Sequence, residues 1–239
     1  MLNLIHLYRG QIRGLLSQGA QTVFITKHPE NQATELYRLT TSTEYTSLKN
    51  EPLPCSVSAL TGNAEQIWFA GTDGRLYSAA FQEGKVKALG DLDFSQSEVL
   101  ALALLAHNRL AVLQTKQISI VDLKKQSISQ TFDNADAATT LAASPDGLWL
   151  AVGFRKGNVA VYHAETADGE FVLSGEGVVH QGQVTALLFA QNELQFYSAG
   201  TDKKLFLTHA RGTLQPLDKG KSSNHETPIT ALLLGKERL

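Results

Sequence analysis

Apolar residues recur along this chain in short blocks, each bounded by Gly, Asp, Asn, Pro or Lys. One kind of block returns six times, as Ile12-Arg13-Gly14-Leu15, Val57-Ser58-Ala59-Leu60, Val99-Leu100-Ala101-Leu102, Ala138-Thr139-Thr140-Leu141, Val184-Thr185-Ala186-Leu187 and Ile229-Thr230-Ala231-Leu232. The copies begin at positions 12, 57, 99, 138, 184 and 229, so the period stays between 39 and 46 residues. β-rich repeats of ~40–50 residues mark propeller blades, in which every repeat is one small sheet.

The repeat from His180 to Leu214 shows the grammar of one blade. Val184 to Phe189 reads as a buried strand, and Ala190 to Glu193 turns the chain. Leu194 to Ala199 alternates as a half-buried strand does, and Gly200-Thr201-Asp202-Lys203-Lys204 is a tight turn into Leu205-Phe206-Leu207-Thr208. Arg211-Gly212 turns again, and Thr213 to Leu217 supplies a fourth strand. Short strands separated by Gly and Asx turns predict an antiparallel meander. The same order recurs around Gly71-Thr72-Asp73-Gly74-Arg75, Gln114-Thr115-Lys116-Gln117 and Gly153 to Asn158. No segment has a convincing helical period. The expected fold is therefore an all-β propeller of four-stranded antiparallel blades within one domain, 1–239. Blades fall at about 9–53, 54–96, 97–135, 136–179 and 180–224, and the first strand of a sixth begins in 225–239.

Several stretches carry a family resemblance. Ser144-Pro145-Asp146-Gly147, followed by Leu150-Ala151-Val152-Gly153, resembles the turn and second strand of WD-repeat proteins. His180 and His225 each stand four residues before a Val/Ile-Thr-Ala-Leu strand, as the family's Gly-His dipeptide stands before its innermost strand. Gly71-Thr72-Asp73-Gly74 and Gly200-Thr201-Asp202 resemble the family's turn between second and third strands. The Trp-Asp pair that names the family is absent: its places hold Ala79-Ala80, Val121-Asp122, Tyr162-His163 and Thr208-His209. The chain thus resembles a degenerate WD-repeat propeller, without the full His–Ser/Thr–Trp hydrogen-bond network. The resemblance implies ring closure by an N-terminal strand, for which 2–8 is suitable. The lone first strand of a sixth blade would leave an open edge, which points first to a longer polypeptide, then to completion by a second chain or to a small closed ring. Open blade edges would otherwise invite self-association.

Composition narrows the functional classes. A net charge of -2 and a pI near 6.4 lack the basic excess that nucleic-acid binding demands. No apolar run approaches the ~20 residues that span a bilayer, and the N-terminus has no basic segment of signal-peptide type. The lone Cys55 forbids an intrachain disulfide and suits a reducing, cytoplasmic setting.

Candidate chemistry is sparse. The seven histidines form no His-x-His or His-Glu-x-x-His ligand pattern. Asp73 and Asp202 sit in turns where a short carboxylate caps backbone amides. No cofactor or metal is expected. The turns between second and third strands carry Arg75, Lys116, Arg155, Lys156, Lys203 and Lys204, which mark possible contacts for an acidic partner surface. The inter-blade connections expected on that face are acidic in sum, so the face is mixed rather than basic.

The leading expectation is a non-catalytic scaffold. It would bind protein partners, or another domain of the same polypeptide, on its loop-bearing face. One alternative is a propeller hydrolase or lyase with a metal in a central channel. Its ligands would come from the openings of the innermost strands, at Gln11, Ser56, Glu98, Ala137, Gln183 and Pro228; of these only Glu98 is a strong ligand type. Another alternative is a reader of phosphate or acidic peptides through the cationic turns.

Overall fold

The computed structural model describes residues 11–18, 21–27, 34–39, 45–47, 53–63, 65–80, 85–133, 137–191, 194–217 and 225–232. They fall into two compact units, Met1–Leu102 and Ala103–Leu239. Among the described residues there is no α-helix, only a single 3-10 turn at Ala106–Asn108.

In the first unit, β1 (Gln11–Gln18), β2 (Gln21–Lys27), β3 (Thr34–Leu39) and β4 (Tyr45–Ser47) form an antiparallel meander. A second meander follows, of β5 (Val57–Gly62), β6 (Gln66–Gly71), β7 (Leu76–Ala80) and β8 (Val86–Ala88). Its apolar strand residues Ile67, Phe69, Tyr77 and Ala79 are buried together with Leu53.

The division between units falls within β9 (Val99–Leu105), which pairs with β10 (Arg109–Gln114). β11 (Gln117–Asp122) and β12 (Ser127–Asp133) complete that third sheet. The fourth contains β13 (Ala138–Ala143), β14 (Trp149–Phe154), β15 (Asn158–His163) and β16 (Val172–Val178). The fifth has three strands, β17 (Val184–Phe189), β18 (Gln195–Gly200) and β19 (Leu205–His209). Trp149, Ala151, Val159 and Val161 of the fourth sheet share one core with Val184, Leu187, Phe189 and Phe196 of the fifth. The second strands are apolar on both faces because both faces are covered: every residue of β10 and of β14 is buried.

Two expectations about the end of the repeat array need correction. The residues expected as a fourth strand of the fifth sheet divide differently. Gly212–Thr213 form β20, which pairs in parallel with Gly175 and Glu176 of β16 in the preceding sheet, and only a single bridge joins Pro216 to Thr208 of β19. This pairing is possible because Gly175 lacks a side chain: a Cβ there would lie 2.3 Å from the Gly212 carbonyl oxygen. The four residues from Ile229 to Leu232, expected as the first strand of a sixth blade, form no strand. A ladder needs a second strand, and none pairs with this segment among the described residues. The ring-closing segment 2–8 lies outside the described residues.

The repeat is nevertheless marked in the backbone. In four sheets the first strand breaks register at the second residue of the repeated block, between Ile12/Gly14, Val57/Ala59, Ala138/Thr140 and Val184/Ala186. A bulge leaves one residue unpaired and re-aims its side chain. The hydroxyls at three of these positions are used alike. Ser58 donates to Ala70 O at 3.4 Å, Thr139 to Gly153 O at 3.1 Å, and Thr185 to Ala199 O at 3.1 Å, each within its own sheet. Thr139 Oγ1 also reaches Val184 O of the next repeat at 2.6 Å, and Thr185 Oγ1 reaches Ile229 O. Ile229 therefore stands to β17 as Val184 stands to β13, although its segment is not a strand.

Candidate functional site: the turns between second and third strands

Register makes the turns of three sheets superposable in sequence. The last cross-strand pairs are Ala70↔Leu76, Gly153↔Val159 and Ala199↔Leu205, so Gly74, Gly157 and Lys203 hold equivalent places. All three have a left-handed backbone, with φ of 78°, 89° and 64°. Each offers its carbonyl to the chain segment that leads into the next repeat. Phe94 N donates to Gly74 O at 2.7 Å, His180 N to Gly157 O at 3.0 Å, and His225 N to Lys203 O at 3.1 Å. The approach is close: a Cβ on Gly157 would lie 2.0 Å from His180 O, and one on Gly74 would lie 2.5 Å from the Ser95 backbone.

In the fifth sheet this latch delivers a histidine into a polar cluster. His180 is 1 % exposed and Ser198, on β18, is fully buried. His180 Nδ1 lies 2.9 Å from Asp202 Oδ1, and Nε2 lies 2.9 Å from Ser198 Oγ. Asp202 also accepts from Gln181 N at 3.0 Å, and Phe206 packs its ring 5.0 Å from the imidazole. Burial raises the Asp202 carboxyl. The Gln181 amide, the His180 hydrogen bond and the His180 charge act the other way and leave it below its ordinary value. Carboxylate, imidazole and hydroxyl stand in the order used to activate a serine nucleophile. Ser198 is wholly enclosed, however, and no carbonyl carbon can approach its Oγ in this structure. What the cluster does here is satisfy a buried imidazole on both nitrogens.

The second sheet solves the same position with other residues. Asp73 Oδ2 accepts from the Tyr77 hydroxyl at 2.5 Å, and Asp73 Oδ1 accepts from Arg75 N at 3.2 Å. Cys55 is the third member, hydrogen-bonded to Asp73. Burial, then the Asp73 charge, pushes the Cys55 thiol up to about 11. Burial and the hydrogen bond to Asp73 likewise raise Tyr77. Tyr77 takes the place of Phe206, each four residues after the turn aspartate. That spacing was visible in the sequence; the part played by Cys55 was not. Thr208 of β19 is fully buried with Oγ1 unpartnered.

The six cations expected at these turns are placed as follows. Arg75, Lys116, Arg155, Lys156 and Lys203 are exposed, each in the turn of its own sheet. Lys204 is half-buried, with Nζ 6.0 Å from the centre of the Phe206 ring. Of the positions proposed for a central metal, Glu98 is exposed in the first unit and Gln183 is half-buried in the second. Among the described residues no group of three His, Cys, Asp or Glu side chains could hold a metal ion.

No protein-family model matches the chain, and no curated protein matches it either. Among solved structures, the chain is similar to the computationally designed Ika8 protein. The TM-score is 0.65 at 20% identity, over 96% of this chain and 67% of that one. At that identity the likeness speaks for fold alone. Successive antiparallel meanders with nested apolar faces place the chain in the β-propeller class. No helix among the described residues is long and apolar enough to cross a membrane.

Proposed function

We propose that this chain is a degenerate WD-repeat-like propeller acting as a non-catalytic cytoplasmic scaffold. Its turns between second and third strands hold a protein partner, or another domain of the same polypeptide. The observation that supports this reading is the contrast within those turns. Their Asp, His, Ser and Tyr groups are spent on internal hydrogen bonds, while the side chains of Arg75, Lys116, Arg155, Lys156 and Lys203 are exposed. A rigid backbone carrying exposed, long, hydrogen-bonding side chains suits recognition of a carboxylate-bearing surface.

Chemical cross-linking of the full chain in its native cell extract tests this. Wild type is expected to cross-link to a discrete protein set that Arg155→Glu/Lys203→Glu loses, with thermal unfolding unchanged because both residues are exposed. An identical set from both chains overturns the turn-face reading. The same variant also separates a scaffold from a phosphate reader, since inorganic phosphate at millimolar concentration would displace partners only from the latter.

A further inference from the structure

The structure points to a second contact region, a groove between the outer strands of the third and fourth sheets that reaches Lys156 in the turn between β14 and β15. It encloses about 610 Å³. Its apolar walls include Leu173 and Val178 of β16 beside the buried Val159 and Ala160 of β15. Leu173 is 53% and Val178 73% exposed, unusual for aliphatic side chains beside such a cavity. Tyr162 also lines it and is braced by Phe132 of the neighbouring sheet, at 4.7 Å between ring centres.

The polar members of the groove are unbalanced. Asp133 and Glu176 bring two carboxylates against the single ammonium of Lys156. Asn158, also a lining residue, keeps Oδ1 buried with no hydrogen-bond partner. Strand addition to β16 at Gly175 and Glu176 is already taken by β20. A ligand must therefore enter by side-chain insertion between the sheets.

We infer that this groove binds a peptide segment of a protein partner, seating one large apolar side chain against Leu173 and Val178 with a lysine or arginine beside it. The apolar walls take the anchor and the carboxylate excess takes the cation. This inference rests on the scaffold reading and adds to it an apolar region beside the turn cation Lys156.

The test is selection of a random peptide phage library on the full chain, followed by fluorescence anisotropy with the recovered peptides. The expected sequences pair an aromatic or branched apolar residue with Lys or Arg. Their affinity should fall by about tenfold or more on Leu173→Lys/Val178→Lys, and by less than about twofold on Arg155→Glu/Lys203→Glu. Both groove substitutions are at exposed positions, so an unchanged thermal midpoint verifies the fold. Failure to enrich any such peptide overturns the groove, as does equal binding by the groove variant. Peptides lost only on Arg155→Glu/Lys203→Glu would overturn the groove while supporting the turn-face reading.

Discussion

The turn of the second sheet and the turn of the fifth begin alike, as Gly-Thr-Asp, and end with different chemistry. Asp73 is paired to a tyrosine hydroxyl and a thiol, whereas Asp202 is paired to an imidazole whose other nitrogen meets a buried serine. Both aspartates cap a backbone N–H two residues on, Arg75 N and Lys204 N. The common element is therefore the turn, and the aspartate is retained for the backbone. The partners vary: Cys55 and His180 come from the segments before β5 and β17, and Tyr77 comes from β7. Tyr77 and His180 are both buried, but the imidazole is satisfied at both ring nitrogens, by Asp202 and by the buried Ser198.

The largest effect should come from the latch that delivers the histidine. Gly157→Ala puts a Cβ into both a left-handed backbone and the His180 carbonyl. The expected loss is about 4 kcal/mol, read from chemical denaturation. Lys203→Gly, at the equivalent place in the fifth sheet, relieves the same backbone strain. It should be neutral or stabilising by up to about 1 kcal/mol. Equal effects from the two substitutions would break the equivalence of the turns.

Removing each aspartate sharpens the contrast between the turns. Asp202→Ala strands a buried imidazole and should cost about 3 kcal/mol, against about 1 kcal/mol for Asp73→Ala. The pH dependence has a defined sign. Asp202 titrates lower when folded than unfolded, so its contribution is complete above the ordinary carboxylate value. It disappears as pH falls through the depressed one. Wild type should lose stability in that acid window, and Asp202→Asn should lose less of it. A pH profile identical in the two chains would contradict the assigned pairing.

Cys55 provides a chemical reading of the first turn. With its thiol held at about 11, alkylation by iodoacetamide near pH 8 should be slow. Asp73→Asn removes the charge that contributes to that shift and should speed the reaction several-fold. Unchanged rates would separate Cys55 from Asp73. The smallest effect concerns Thr208, whose buried hydroxyl has no partner. Thr208→Val, nearly equal in shape, should stabilise by about 1 kcal/mol, measured as a rise in thermal midpoint.

Much of this was legible in the chain. The period of the apolar blocks and the Gly-Thr-Asp turns locate the strands, because alternation and turn chemistry are local properties. The Ser144-Pro145-Asp146-Gly147 turn also forms as read, with Gly147 at φ 69° and Leu148 N bonded to Asp146 Oδ1 at 3.0 Å. Other features depend on contacts between repeats and leave no local mark. The bulge at Thr139 and Thr185 looks like an ordinary strand residue until its hydroxyl is seen crossing to the next repeat. The parallel pairing of Gly212–Thr213 with β16 involves two residues and depends on a glycine far away in sequence. Cys55 carries no motif at all, and only its distance to Asp73 reveals its part.

The latches between repeats are tested most directly by amide hydrogen exchange. Phe94, Val179 and His180 lie outside strands, yet their N–H groups are bonded to the left-handed turn residues Gly74 and Gly157. Their amides should exchange as slowly as those of β10 and β14. Exchange at the rate of exposed loop amides would show that the turns do not fasten one repeat to the next.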